Sequence, residues 1–198
     1  MTNRVGIGLL VVDVQNDFCA GGALAVPRSE RVIVALNHHL MEAAARGVTV
    51  YASRDWHPPS TTHFKPYGGP WPPHCVQGTE GARFHSDLQL PPATVIVTKG
   101  VDPESAGYSA FEGTTPEGKP LLADLQERGI GHLYVGGLAT DYCVKHSVLD
   151  ALSAGLRVSI LEDAIAGVDP GGSERALAEM RERGANAVTA PDWLVHEP

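Results

Sequence analysis

The sequence predicts an α/β fold built from repeated βαβ units around a mainly parallel sheet. Two observations carry this: β-branched apolar runs alternate with helix-period segments, and Gly, Pro or a capping residue punctuates most of the junctions. The length, 198 residues, suits a single domain over 1–198 with one well-packed core.

The first strand is expected at Val5 to Val14. A helix follows from Ser29, read as its N-cap, with Val32, Ile33, Leu36, Leu40 and Ala44 on one face and Gly47 as its stop. Strands two and three are expected at Val48 to Ser53 and Thr94 to Thr98. Between them lies a Pro- and Gly-rich stretch, 58–81, too long and too punctuated for a simple crossover; such loops are usually functional or disordered. A helix from Pro120 to near Gly129 precedes strand four, His132 to Val135, which ends in the turn GGLAT. Thr140 or Asp141 is expected to cap a helix running through Ala154. Strand five (Arg157 to Leu161), a helix (Ser173 to Arg183) and a short sixth strand (Ala187 to Thr189) complete the chain.

Composition excludes several function classes. Fifteen Lys+Arg stand against 23 Asp+Glu, a net charge of −8, so the clustered cations that nucleic acid or an anionic membrane demands are missing. Hydrophobic content of 43% with 19% charged residues excludes global disorder. No apolar run reaches the ~18 residues of a membrane span and no small-residue cleavage site follows the N-terminus, so a cytoplasmic location is expected. Cys19, Cys75 and Cys143 form neither an even disulfide set nor a CxxC pair, which leaves at least one thiol free.

Ligands of an open parallel sheet bind beyond the carboxyl ends of the strands. There this sequence places Asp13, then Asp55 and His57, then Lys99, then Cys143. Cys143 is the expected nucleophile, because the start of a helix and a nearby Lys99 ammonium would both lower its pKa. Asp13 is the expected general acid/base, a role worth about 10² to 10⁴ in rate. Cys19 and Cys75 open no helix and lack that activation. The amides of Ala139 and Cys143, freed by Gly136 and Gly137, are placed to receive an oxyanion. A purely structural reading stays open at this point, with Cys143 a packed small hydrophobe and Asp13 and Lys99 strand-end caps or a buried ion pair.

Nine histidines are many for this chain, and His57, His63, His74 and His85 crowd into 57–85. Asp55, His57, His63 and His74 offer an N/O set that suits one divalent metal ion such as Zn²⁺, Fe²⁺ or Mn²⁺ and lacks the thiolates of a structural zinc site. His85 reads as the exit of the loop. His38 and His39 are expected on a solvated helix face, and His132, His146 and His196 as surface or satisfied residues.

DVQNDFC from Asp13, RDWHPPSTTHF around Asp55, WPPHCVQGTEGA from Trp71, VTKG around Lys99, GYSAFEG around Tyr108 and GGLATDYCV around Cys143 together resemble the nicotinamidase branch of the isochorismatase-like cysteine hydrolases. The resemblance spans 13–144 in order. It implies a three-layer α/β/α, Rossmann-like fold with a six-stranded, mainly parallel sheet, and Asp13, Lys99 and Cys143 as a catalytic triad. It also implies a cis peptide between Leu138 and Ala139, and a metal held by Asp55, His57 and His74, with His63 a fourth ligand in some members. The activity implied is hydrolysis of nicotinamide to nicotinate and ammonia in NAD salvage, through a Cys143 thioester, with pyrazinamide as a second substrate. Phe18 and Trp71 would stack on the ring, Tyr108 would wall the pocket, and Leu138 and Ala139 would also contact substrate. Three alternatives differ in class: an amidohydrolase of the same superfamily acting on an N-carbamoyl or ureido compound, a metal-activated-water hydrolase, and a noncatalytic binding domain. The expected partner is a small molecule, with no nucleic acid or membrane, and a homo-oligomer is left open.

Overall fold

The structure, a computed structural model, describes residues 6–189; Val5 and His196 lie outside them. Six strands form one sheet in the order β3-β2-β1-β4-β5-β6: β1 (Gly6–Val12), β2 (Thr49–Asp55), β3 (Val95–Lys99), β4 (Ile130–Leu138), β5 (Arg157–Ala166) and β6 (Asn186–Val188). Every pairing is parallel. The order reverses between β1 and β4, and that switch point opens the crevice in which doubly wound sheets bind ligands.

β1 is apolar on both sides because both are covered. Leu9 and Val11 pack with Val32, Ile33, Leu36 and Leu40 of helix α1 (Ser29–Ala45). Leu10 and Val12 pack with α2 (Leu121–Glu127), α3 (Lys145–Ser153) and α4 (Pro170–Glu182) through Leu121, Leu125, Val148, Ala151 and Met180. Each such side chain contributes about 1.5–3 kcal/mol on burial. Among the described residues one face thus carries three helices and the other a single helix. The missing cover there comes from the long Pro/Gly loop, whose Cys75, Ala82 and Leu88 join the α1 side of the core. Among the described residues no helix is long and apolar enough to cross a membrane.

Several boundaries move for identifiable reasons. Ser29 lies inside the first turn of α1 and does not cap it; Arg28, at φ +66°, makes the entry. Gly47, at φ +66°, does stop α1, with Val48 N–H returning to Ala43 O at 2.9 Å. Neither Thr140 nor Asp141 caps α3. A wide π-type turn, Thr140–Val144, precedes it without a side-chain cap, and the Asp141 carboxylate accepts from Val168 and Asp169 N–H instead. α4 begins earlier than its apolar period suggested because the Asp169 carboxylate receives Gly172 N–H at 2.5 Å. His39 was expected on a solvated face; it is fully buried and lies 3.1 Å from Asp163.

β4 and β5 are both longer than expected. Gly136 and Gly137 read as a turn, yet they extend β4, and Gly137-Leu138 pair with Ile165-Ala166 across a bulge. Gly137 sits at φ +126°, and a Cβ there would lie 2.1 Å from Val12 O. A side chain at 137 would therefore push β4 away from β1. The variant Gly137→Ala is expected to lose on the order of 3 kcal/mol or more of stability, a fall of roughly 10 °C in Tm for a chain of this size. Thermal unfolding followed by circular dichroism checks this, and an unchanged Tm would contradict it.

Candidate active site

Four strand ends supply the ionisable cluster. Asp13 follows β1 at φ +49°, a left-handed conformation uncommon outside glycine, held by Asp13 N–H to Ser53 O and Gln15 N–H to Asp13 O. Asp55 closes β2 and Lys99 closes β3, and the two are direct register partners. Cys143 lies in the turn after β4. All four are buried.

The Lys99 ammonium is the hub. Its Nζ stands 2.7 Å from Asp13 Oδ2, 2.5 Å from Asp55 Oδ1, 2.9 Å from Gly107 O and 3.6 Å from Cys143 Sγ. Asp13 Oδ1 also accepts from Ser53 Oγ at 2.7 Å. Burial alone would depress the lysine, but Asp13 and Asp55 outweigh it and hold the ammonium well above its ordinary pKa. Burial likewise works to raise Asp55, and Lys99 and His57 reverse it, leaving the carboxyl below the usual range. For Asp13 burial prevails over Lys99, and the carboxyl is raised.

Cys143 corrects an expectation. Lys99 does act to lower its pKa, but burial, seconded by Asp13 and Asp55, pushes the thiol well above its ordinary value. Its Sγ, an Asp13 oxygen and an Asp55 oxygen lie within 4.8 Å of one another, so a carboxylate able to take its proton is adjacent. Cys19 and Cys75 are buried thiols raised mainly by desolvation, Cys19 to about 11, and neither contacts Lys99 as Cys143 does.

The long loop brings His57, His63 and His74 together with ligand nitrogens within 4.8 Å of one another. His85 stands apart, bonded to Asp87 N–H. Both ring nitrogens of the fully buried His57 lack a hydrogen-bond partner, a costly arrangement for an imidazole with nothing to bind. His74 Nδ1 donates to Pro72 O at 2.8 Å, which leaves Nε2 as the lone-pair donor. Burial and the neighbouring imidazoles bring His63 down to about 4, and burial also lowers His74. Asp55, one oxygen engaged by Lys99, turns the other to within 3.6 Å of His57 Nε2. Three buried imidazoles with a carboxylate held below the usual range alongside fit a borderline divalent cation.

Between the thiol and the imidazoles lies a cavity of about 380 Å³, open solvent included. Of the residues expected at the substrate, Phe18, Trp71, Tyr108 and Ala139 line it, whereas the Leu138 side chain is buried in the core. The Leu138–Ala139 peptide is cis, as the resemblance implied. Trp71 Nε1 donates to Tyr108 OH at 2.8 Å, and Tyr142 meets Trp71 edge-on at 4.9 Å. Sequence reasoning missed Leu24, Val26, Tyr142 and Val168 in this wall. Tyr142 carried a usable signal, immediately before Cys143. Leu24 and Val26 carried none, since they reach the cavity only because the 19–28 loop folds back onto Asp17 O and Phe18 O.

Residues 8–192 match the family described as the isochorismatase domain. A nicotinamidase from Escherichia coli (strain K12) is 42% identical over 203 residues, covering 93% of this chain and 95% of its own. Among solved structures, the pyrazinamidase of Pyrococcus horikoshii in complex with zinc superposes with a TM-score of 0.86 at 43% identity, covering 92% of this chain and 98% of that one. An L. infantum protein in complex with nicotinate gives 0.84 at 33% identity, with 94% and 93% covered.

The lowered imidazoles have a measurable consequence. Their folded pKa values lie below the ordinary 6.5, so the unfolded chain binds protons more readily. Their stabilising contribution is complete above about pH 6.5 and drains away as pH falls toward about 4. Urea titrations of the metal-free protein at pH 7, 6, 5 and 4 are expected to show a declining midpoint that His63→Gln flattens. A midpoint decline of equal steepness in His63→Gln would contradict this.

Proposed function

The chain belongs to the isochorismatase-domain family, and from that premise we propose that it hydrolyses nicotinamide to nicotinate and ammonia as a cysteine amidohydrolase. The observation that carries the reading is one juxtaposition. Lys99 Nζ touches both carboxylates and the Cys143 sulfur at one end of an aromatic-walled cavity, and three imidazoles stand at the other. The relatives named nicotinamidase and pyrazinamidase, and the nicotinate complex, support the same substrate class.

In this reading Asp55, His57, His63 and His74 hold one divalent ion of the zinc, iron(II) or manganese(II) kind. When bound it supplies a Lewis-acidic position for a ring-nitrogen lone pair. Phe18 and Trp71 flank the ring, Tyr108 and Tyr142 close the wall, and the carboxamide carbon is directed to Cys143. Asp13 takes the thiol proton, and the Lys99 ammonium stabilises the thiolate as it attacks. The N–H groups of Ala139 and Cys143 receive the oxyanion, an interaction worth about 10² to 10³ per donor. Asp13 returns its proton to the departing nitrogen, and ammonia leaves behind a Cys143 thioester. Asp13, again a carboxylate, takes a proton from water as it attacks the thioester carbon. The C–S bond breaks, Asp13 hands that proton back to the sulfur, and the acid product leaves, losing its remaining carboxyl proton to the released ammonia or to solvent as nicotinate. One proton passes between the neighbouring Asp13 and Cys143, so the net charge of the buried cluster is unchanged by the transfer.

Pyrazinamide presents the same carboxamide on a ring with a nitrogen in the corresponding place and is expected to be a second substrate. Among the described residues that line the cavity none is lysine or arginine, and its aromatic wall suits a flat ring better than an N-carbamoyl amino acid.

An ammonia-release assay tests the proposal. Wild-type protein is expected to turn over nicotinamide, to lose activity on chelation and to regain it with Zn²⁺, Mn²⁺ or Fe²⁺. Cys143→Ala is expected to fall by at least about 10³-fold while keeping its fold. Substantial turnover by Cys143→Ala would overturn the nucleophile assignment, and full activity after chelation would overturn the role of the metal.

A further inference from the structure

Where β1 ends, its main chain leaves the sheet. Register with β2 stops at Val12 and Ser53, and the last main-chain bond is Asp13 N–H to Ser53 O at 3.2 Å. β2 continues to Asp55, so the Asp55 N–H and C=O face the side that β1 has vacated. The fully buried side-chain amide of Gln15 takes that place. Its Oε1 accepts Asp55 N–H at 2.8 Å, and its Nε2 donates to Asp55 O at 2.8 Å and to Ala82 O at 2.9 Å. A glutamine amide has the planar donor–acceptor pattern of a peptide, and here it stands in for one more residue of β1. On the opposite side Asp55 is in register with Lys99, and Trp56 N–H bonds to Lys99 O at 2.9 Å. The Asp55 backbone is thus gripped from both flanks, and the same amide ties it to the loop that carries His74.

We propose that Gln15 is a positioning residue that holds Asp55 between the Lys99 ammonium and the imidazole cluster, and thereby sets both metal affinity and turnover. The carboxylate has two divided tasks, Oδ1 on Lys99 and Oδ2 toward His57, so a small rotation of its backbone would sacrifice one of them. This inference rests on the reading of Asp55 as a metal ligand.

The test uses the full chain and Zn²⁺ alone as the probe, titrated against a chromophoric chelator, beside nicotinamide turnover at saturating Zn²⁺. Gln15→Met fills the space without the amide and is expected to weaken Zn²⁺ binding about 10- to 100-fold and to lower kcat in the same range. Gln15→Asn keeps an amide that cannot span the gap and is expected to fall between the two. Tyr51→Phe, in the same strand as Asp55 but away from the site, removes a buried hydrogen bond to Asp124 of α2 and serves as a structural control. It is expected to lower Tm while leaving the Kd for Zn²⁺ and kcat within about twofold of wild type. Wild-type Kd and kcat in Gln15→Met would overturn the proposal, as would equal losses in Tyr51→Phe. Failure of both Gln15 variants to fold would assign the residue to the fold and overturn it too. A wild type that neither binds Zn²⁺ nor releases ammonia would bring down the proposed function itself, and this inference with it.

Discussion

The burial of one ammonium, that of Lys99, is the constraint on which the site depends. Taking a charge out of water costs several kcal/mol, recovered only when its partners are close and well placed. Here the partners come from different strands: Asp13 after β1, Asp55 at the end of β2, and Gly107 O from the segment after β3. Their convergence requires these strands to end level with one another. The β2–β3 register that sets Asp55 opposite Lys99 is therefore part of the electrostatics as well as of the sheet. The same ammonium stands 3.6 Å from the Cys143 sulfur, so what holds the strand ends together also sets a positive charge beside the thiol.

The second constraint is placed on the loop between β2 and β3. A parallel crossover is normally a helix, but this one folds largely without regular structure, with only a short helical turn at Lys65–Tyr67. It covers part of the α1 side of the sheet and delivers His63 and His74 beside His57. Side-chain hydrogen bonds to its main chain hold it in place. The Asp17 carboxylate accepts Cys75 N–H at 2.7 Å where Cys75 adopts φ +45°, and Asn16 Nδ2 donates to Glu80 O at 2.8 Å. Gln15, Asn16 and Asp17 together act as a clamp on the histidine-bearing loop. The cavity and the imidazole cluster thus share one set of supports.

Much of the fold was legible because burial writes itself into composition. The apolar run of β1 read as a strand of a mainly parallel sheet, and Gly47 read as the stop of α1. The charged stretch Glu162-Asp163 concealed the second half of β5, because a strand that runs past the sheet's core no longer needs apolar residues. Gly136-Gly137 misled in the same way: glycines that usually mark turns here permit β4 to lie close against β1 and α1. The thiol was misjudged for a related reason. Helix starts and lysines lower a thiol's pKa, but only the folded structure shows that burial and two carboxylates exceed them.

The chemical inventory was determined by sequence alone. Asp13, Asp55, Lys99 and Cys143 lie at the ends of successive strand candidates, and the clustered histidines fall in and beside one Pro-restricted loop, because strand ends and long loops are recognisable from local pattern. Which atoms meet was decided by tertiary structure. That Asp55 divides its oxygens between Lys99 and His57, that Leu24, Val26 and Val168 wall the cavity, and that Gln15 replaces a missing strand residue all depend on contacts between segments distant in sequence. Local periodicity reports which face of an element is buried, and it carries no information about what lies across the gap.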